Sequence, residues 1–162
     1  MPSKPFIIRR TFLEKWGLNS LKINLAFLEA EFKPGDADRA AAWELYVELL
    51  TRVTTQYLPP EDGDEIAALD SVFAIFPLTR EILRRNGAGA GEFAKIAIPV
   101  LNQIVRPFTA KWHRLSLAGA FKETKGCHDF RKELAALQPQ LRHYAQALAA
   151  MAEVEDLTAL EK

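Results

Sequence analysis

Six polar side chains between residues 80 and 114 are candidates for holding a ligand: Arg80, Asn102, Arg106, Lys111, His113 and Arg114. Arg80 continues the helical spacing of Leu69, Phe73 and Phe76 and comes one turn before Leu83, which would set a guanidinium on an apolar stripe. A charge there is costly unless it is paired. It is read either as a fork offered to a carboxylate or phosphate in a groove, or as a structural group. In the structural reading, which is favoured, it pairs with Glu44 or Glu48 or reaches solvent at a helix end. Asn102, Arg106, Thr109 and His113 follow one another at steps of four, three and four, one line on a helix. Lys111-Trp112-His113-Arg114 gathers two bases, an indole and an imidazole. Arginine supplies a planar fork and tryptophan a stacking face, and interleaved bases and aromatics also suit single-stranded nucleic acid. Trp112 falls in an apolar stripe, however, which predicts packing rather than display.

Other chemistry is weakly represented. The three histidines (His113, His128, His143) and the one cysteine, Cys127, have no metal-ligand spacing, so neither a metal nor a cofactor is expected. Cys127 and His128 are neighbours and face different directions on a helix, which predicts a helix-start cysteine and a surface histidine rather than a nucleophile pair. The run Asn86-Gly87-Ala88-Gly89-Ala90-Gly91 lacks both the preceding strand and the Lys-Ser/Thr of a phosphate-binding loop. Glu44, Glu48 and Arg52 form a polar line at steps of four and are expected to be structural, with Glu48 and Arg52 in the favourable order. Hydrolysis would need those glutamates and His113 within hydrogen-bond reach, the weakest of the functional readings.

Composition bounds the rest. The 162 residues suit one domain (1–162), are 49% hydrophobic and 26% charged, and carry no net charge. The charge is nevertheless segregated. Glu61 to Asp70 holds five acids and no base, while Arg80 to Arg114 holds seven bases against Glu81 and Glu92. An unpaired cysteine, a short N-terminal apolar run and no membrane-length stretch predict a cytoplasmic protein with no membrane partner.

The elements that must position these groups read as mainly helical. Residues 36–155 are expected to form a four-helix bundle. The first helix runs from Asp36 or Asp38 to about Leu58 on a Trp43, Tyr46, Val47, Leu50, Val53, Tyr57 stripe, widened by Leu45 and Leu49. The second runs from about Asp64 to Asn86 on Leu69, Phe73, Phe76 and Leu83. The third, about Glu92 to Phe121, carries Phe93, Ala97, Leu101, Ile104, Phe108, Trp112 and Leu115. The fourth, about Cys127 to Ala152, has the regular seam Phe130, Leu134, Leu137, Leu141, Tyr144, Leu148, Met151. Pro77, Pro99, Pro107 and Pro139 fall inside these patterns without disturbing the phase of the third and fourth, which predicts kinked or bulged helices. Residues 1–33 read as a separate extension. Alternation at Leu21, Ile23, Leu25 and Phe27 favours a small β-hairpin, an α+β label by strict reckoning, and a short helix is the rival.

The segments Ala42-Trp43-Glu44-Leu45-Tyr46-Val47-Glu48-Leu49-Leu50-Thr51-Arg52 and Leu101-Asn102-Gln103-Ile104-Val105-Arg106-Pro107-Phe108-Thr109-Ala110-Lys111-Trp112-His113 resemble a group of uncharacterised bacterial helical proteins. Such modules are associated with multi-component conflict or anti-phage systems. The resemblance spans roughly residues 20–155 and transfers no catalytic residue. It implies a bacterial, intracellular, partner-dependent protein. The expected function is therefore a non-enzymatic interaction or accessory subunit, whose partner is another protein or a second copy of the chain. The alternative is a binder of an anionic ligand, nucleotide or nucleic acid.

Overall fold

The structure is a computed structural model that describes residues 32–160. The hairpin or short helix expected within residues 1–33 lies outside them, save for Phe32, which is buried in the core, and Lys33. The described residues are helical with no strand, which agrees with the mainly helical class. The four expected segments do not appear as four uninterrupted rods. They are divided into six α-helices among the described residues, and each division has a local cause.

The first helix, α1 (Asp36–Leu50), stops eight residues short of the expected Leu58. The hydroxyls of Thr54 and Thr55 both donate to the Leu49 carbonyl, at 2.8 and 2.7 Å, and Gln56 Nε2 donates to the Leu50 carbonyl at 2.8 Å. Side chains thus take the carbonyls that a further turn would have used. The buried face of α1 is Ala41, Ala42, Leu45, Tyr46 and Leu49. The expected stripe was rotated from this one. Trp43 is 46% exposed and Tyr57 72% exposed, while Leu45 and Leu49, read as a widening, are the centre of the contact.

Asp64 caps α2 (Glu65–Phe73) by accepting from the Ala67 amide at 2.7 Å. A one-residue break at Ala74 separates it from α3 (Ile75–Asn86). Pro77 has no amide to offer the Phe73 carbonyl four residues back. The chain accordingly changes course, with α2 packing on the later helix α5 and α3 on α1. The third segment is divided by a different device. Between α4 (Gly91–Val100) and α5 (Arg106–Leu117) lies a π-helical turn, Leu101–Val105, in which the Arg106 amide reaches the Leu101 carbonyl five residues back. The wider turn makes room for Pro107, which cannot donate to Gln103, and the segment is bulged as its preserved phase predicts.

The long helix α6 (Thr124–Ala152) continues through Pro139, and all seven residues of its expected seam are buried. It runs antiparallel to α1, because Tyr46 meets Asp156 near its C-terminal end while the loop after α1 meets Gln138 and Arg131. The start of α6 sits tightly on the preceding turn. A Cβ on Gly126 would come within 2.0 Å of the Ala120 carbonyl oxygen, so this position admits only glycine. Buried residues from all six helices form one hydrophobic cluster. No described helix is long and apolar enough to cross a membrane.

Candidate functional site

The six candidate residues do not converge on one site; α5 sends them to opposite sides. Towards α2 and α3, His113 presents its ring edge-on to Phe73 with centroids 5.0 Å apart, and the Arg106 guanidinium lies 4.6 Å from the Phe76 ring centroid. Arg106 Nε also donates to Asn102 Oδ1 at 3.2 Å, which holds the guanidinium in place over the ring. The two ring contacts make α5 antiparallel to the α2–α3 run. That alignment sets Arg80, one turn beyond Phe76, at the Asn102–Arg106 end of the seam.

Arg80 is exposed and makes no ion pair among the described residues, so its charge carries no burial cost. The pairing anticipated for it does not form. Glu44 pairs instead with Arg85, one turn further along α3, and Arg85 also stands 3.7 Å from Glu81. The shift follows from the break at Ala74, which turns α3 onto α1 and presents Arg85 rather than Arg80 to Glu44. Glu48 and Arg52 pair as expected, with Arg52 Nε donating to Glu48 Oε2 at 2.9 Å.

On the other side of α5, Lys111 and Trp112 meet α6. Trp112 is buried, and its Nε1 donates to Glu133 Oε2 at 2.9 Å while Lys111 pairs with Glu133 Oε1. The rings of Phe108, Trp112, Phe121 and Phe130 fill the space between α5 and α6. Wide aromatic spacers leave an open groove of about 440 Å³ beside them, lined by Ile104, Pro107, Phe108, Lys111, Glu133 and Leu137. Arg114, the sixth candidate, is exposed on α5 next to His113.

The seam on the α2–α3 side therefore joins two phenyl rings, one imidazole and two guanidinium groups. Phe73 remains 41% exposed within it, and among the described residues neither Arg80 nor Arg106 faces a carboxylate at ion-pair distance. Such a face can hold acidic or aromatic groups by charge, stacking and apolar contact. Glu44 and Glu48 are engaged by Arg85 and Arg52 and His113 by Phe73, so the three do not form the hydrogen-bonded set that hydrolysis requires. Burial, with the charge and hydrogen bond of Glu65 beside it, pushes the Cys127 thiol up from its ordinary value, the opposite of an activated nucleophile. No group of three metal-ligating side chains occurs among the described residues.

Two polar centres go beyond the sequence reading, which took Asp38 only as a possible start of the first helix and did not single out the polar line of α6. Asp38 is buried, and its carboxylate joins two helix starts: Oδ2 accepts from Gly35 N at 2.8 Å and Oδ1 from Phe93 N at 2.9 Å. Along α6, Arg131, Gln138 and Arg142 hold the loop that follows α1. Arg131 bonds Glu65 and the carbonyls of Pro59 and Asp62, Gln138 those of Val53 and Gln56, and Arg142 that of Thr55. Their spacing of seven and four beside the apolar seam is the one sequence signal that marks them.

Comparison with family models, with curated proteins and with solved structures finds no match to this chain.

Proposed function

We propose that this chain is a non-enzymatic interaction module, an accessory or regulatory subunit, whose contact face is the seam between α2–α3 and α5. The observation that carries the reading is the half-exposed ring of Phe73 beside guanidinium groups that have no carboxylate partner among the described residues. Aromatic and arginine side chains dominate the energetics of protein contacts. An acidic partner surface would supply the missing counter-charge and steer its own approach. The likeness of residues 42–52 and 101–113 to bacterial helical modules extends the reading to a bacterial multi-component assembly, with defence against phage as its setting.

A polyglutamate peptide is the simplest probe of this face. It should bind the full chain, weaken as salt rises, and lose at least tenfold in affinity in the Arg80→Glu/Arg106→Glu variant. Equal binding to both proteins would remove the seam as the contact face.

A second reading, an anionic ligand such as a nucleotide or single-stranded nucleic acid, is favoured by the Arg106 guanidinium held over the Phe76 ring. It predicts that a short oligonucleotide or ATP outcompetes polyglutamate for the same residues. Failure of both to compete leaves the protein-contact reading.

A further inference from the structure

The outward face of α2 joins the basic seam to an acidic loop. Ile66 and Phe73 are 56% and 41% exposed, and seven residues of helix place them on the same side. Beyond the N-terminal end of α2, Glu61 and Asp62 are exposed and make no ion pair among the described residues. Arg131 takes the backbone carbonyls of Pro59 and Asp62 from the α6 side, which fixes the loop while its carboxylates remain at the surface. Beyond the C-terminal end come His113, Arg106 and Arg80. The surface around α2 thus runs from acid, through two apolar residues, to base.

We infer that a second copy of this chain docks on that surface about a two-fold axis, with the two α2 helices antiparallel. A two-fold contact uses the same patch on both copies, so the patch must complement itself when turned end for end. This one does. Antiparallel pairing sets Ile66 of one copy on Phe73 of the other, and the loop of Glu61 and Asp62 then approaches Arg80 and Arg106 of the opposite copy, twice over. The inference rests on reading the seam as a contact face and names the second copy as its occupant. The pairing also puts Asp70, between Ile66 and Phe73 on that face, close to the axis, where two like charges face each other.

The test is sedimentation of the full chain over a range of concentration and salt, with each variant checked for unchanged helicity by circular dichroism. The expected result is a dimer that forms in the micromolar range, weakens with salt and never grows beyond two copies. Arg80→Glu/Arg106→Glu and Glu61→Lys/Asp62→Lys should each raise the dissociation constant at least tenfold. Mixed in equal amounts, these two variants should form a heterodimer, because both charge contacts are complementary again. Ile66→Ser should weaken the dimer, and Asp70→Asn should tighten it. A chain that stays monomeric at all concentrations overturns the inference. So do masses above the dimer, variants that do not rescue each other, or Asp70→Asn without tightening. A monomer that still binds polyglutamate through Arg80 and Arg106 removes the second copy alone, whereas a monomer that binds neither removes the seam reading as well.

Discussion

Arg131 Nε donates to Glu65 Oε1 at 2.7 Å, and the same guanidinium holds the carbonyls of Pro59 and Asp62 at 2.9 and 3.0 Å. One side chain of α6 therefore anchors both the loop after α1 and the first turn of α2. Both members are mostly buried, at 20% and 15% side-chain exposure, which raises the cost of separating them. Arg131→Met should lower stability by about 2 kcal/mol, less than for a fully buried pair because water screens part of the interaction. Denaturant unfolding measures the loss, and hydrogen exchange should show it concentrated in residues 59–65.

The same pair sets a pH dependence. Burial pushes the Glu65 carboxyl up, but the hydrogen bond and charge of Arg131 outweigh it and hold the carboxyl below its ordinary value of 4.5. A carboxyl depressed in the folded state stabilises the fold above the unfolded value, and that stability is lost as pH falls through the folded one. The stability difference between the native chain and Arg131→Met should be full at neutral pH and shrink below about 4.5. A difference that stays constant down to pH 3 would refute this account of the pair.

Asp38→Ala leaves the amides of Gly35 and Phe93 without their acceptor and loosens the starts of α1 and α4 together. The expected cost is about 2 kcal/mol, between a lost cap and a lost charged hydrogen bond. Asp38→Asn keeps one acceptor oxygen and should recover part of it in the same unfolding experiment.

Tyr144 is wholly buried in α6, and its hydroxyl has no hydrogen-bond partner among the described residues. Removing an unsatisfied polar atom without changing the ring is neutral or favourable, so Tyr144→Phe should change stability by about 0 to +1 kcal/mol. Burial raises the phenol above its ordinary value of 10.0 in the folded state. The unfolded chain then ionises first, and stability is lost as pH rises beyond about 10. Alkaline unfolding of Tyr144→Phe should begin at higher pH than that of the native chain.

Gly126→Ala forces a methyl group to within 2.0 Å of a backbone oxygen that cannot move without shifting the turn before α6. The predicted cost is about 3 kcal/mol, at the upper end for overpacking. A thermal melt unchanged from the native chain would show that the turn yields.

Helix content, the buried seam of α6, the packed Trp112 and the Glu48–Arg52 pair were determined by the sequence alone. Each depends on the period of 3.6 residues and on neighbours within one or two turns, and periodicity records those directly. The tertiary structure decided what depends on direction between helices. The Ala74 break turned α3 onto α1, giving Glu44 to Arg85 and leaving Arg80 without an ion pair among the described residues. Within α5 the helical period alone separates Arg106 and His113 from Lys111 and Trp112, but which neighbour each side meets, α2–α3 or α6, was set by the packing. The Thr54 and Thr55 hydroxyls ended α1 early, and its packing on α6 and α3 buried the Ala41, Leu45 and Leu49 face rather than Trp43. Arg131 reached carbonyls about seventy residues distant. The contacts between helices join residues remote in sequence, so spacing along the chain holds no record of them, and the seam itself exists only because these helices met.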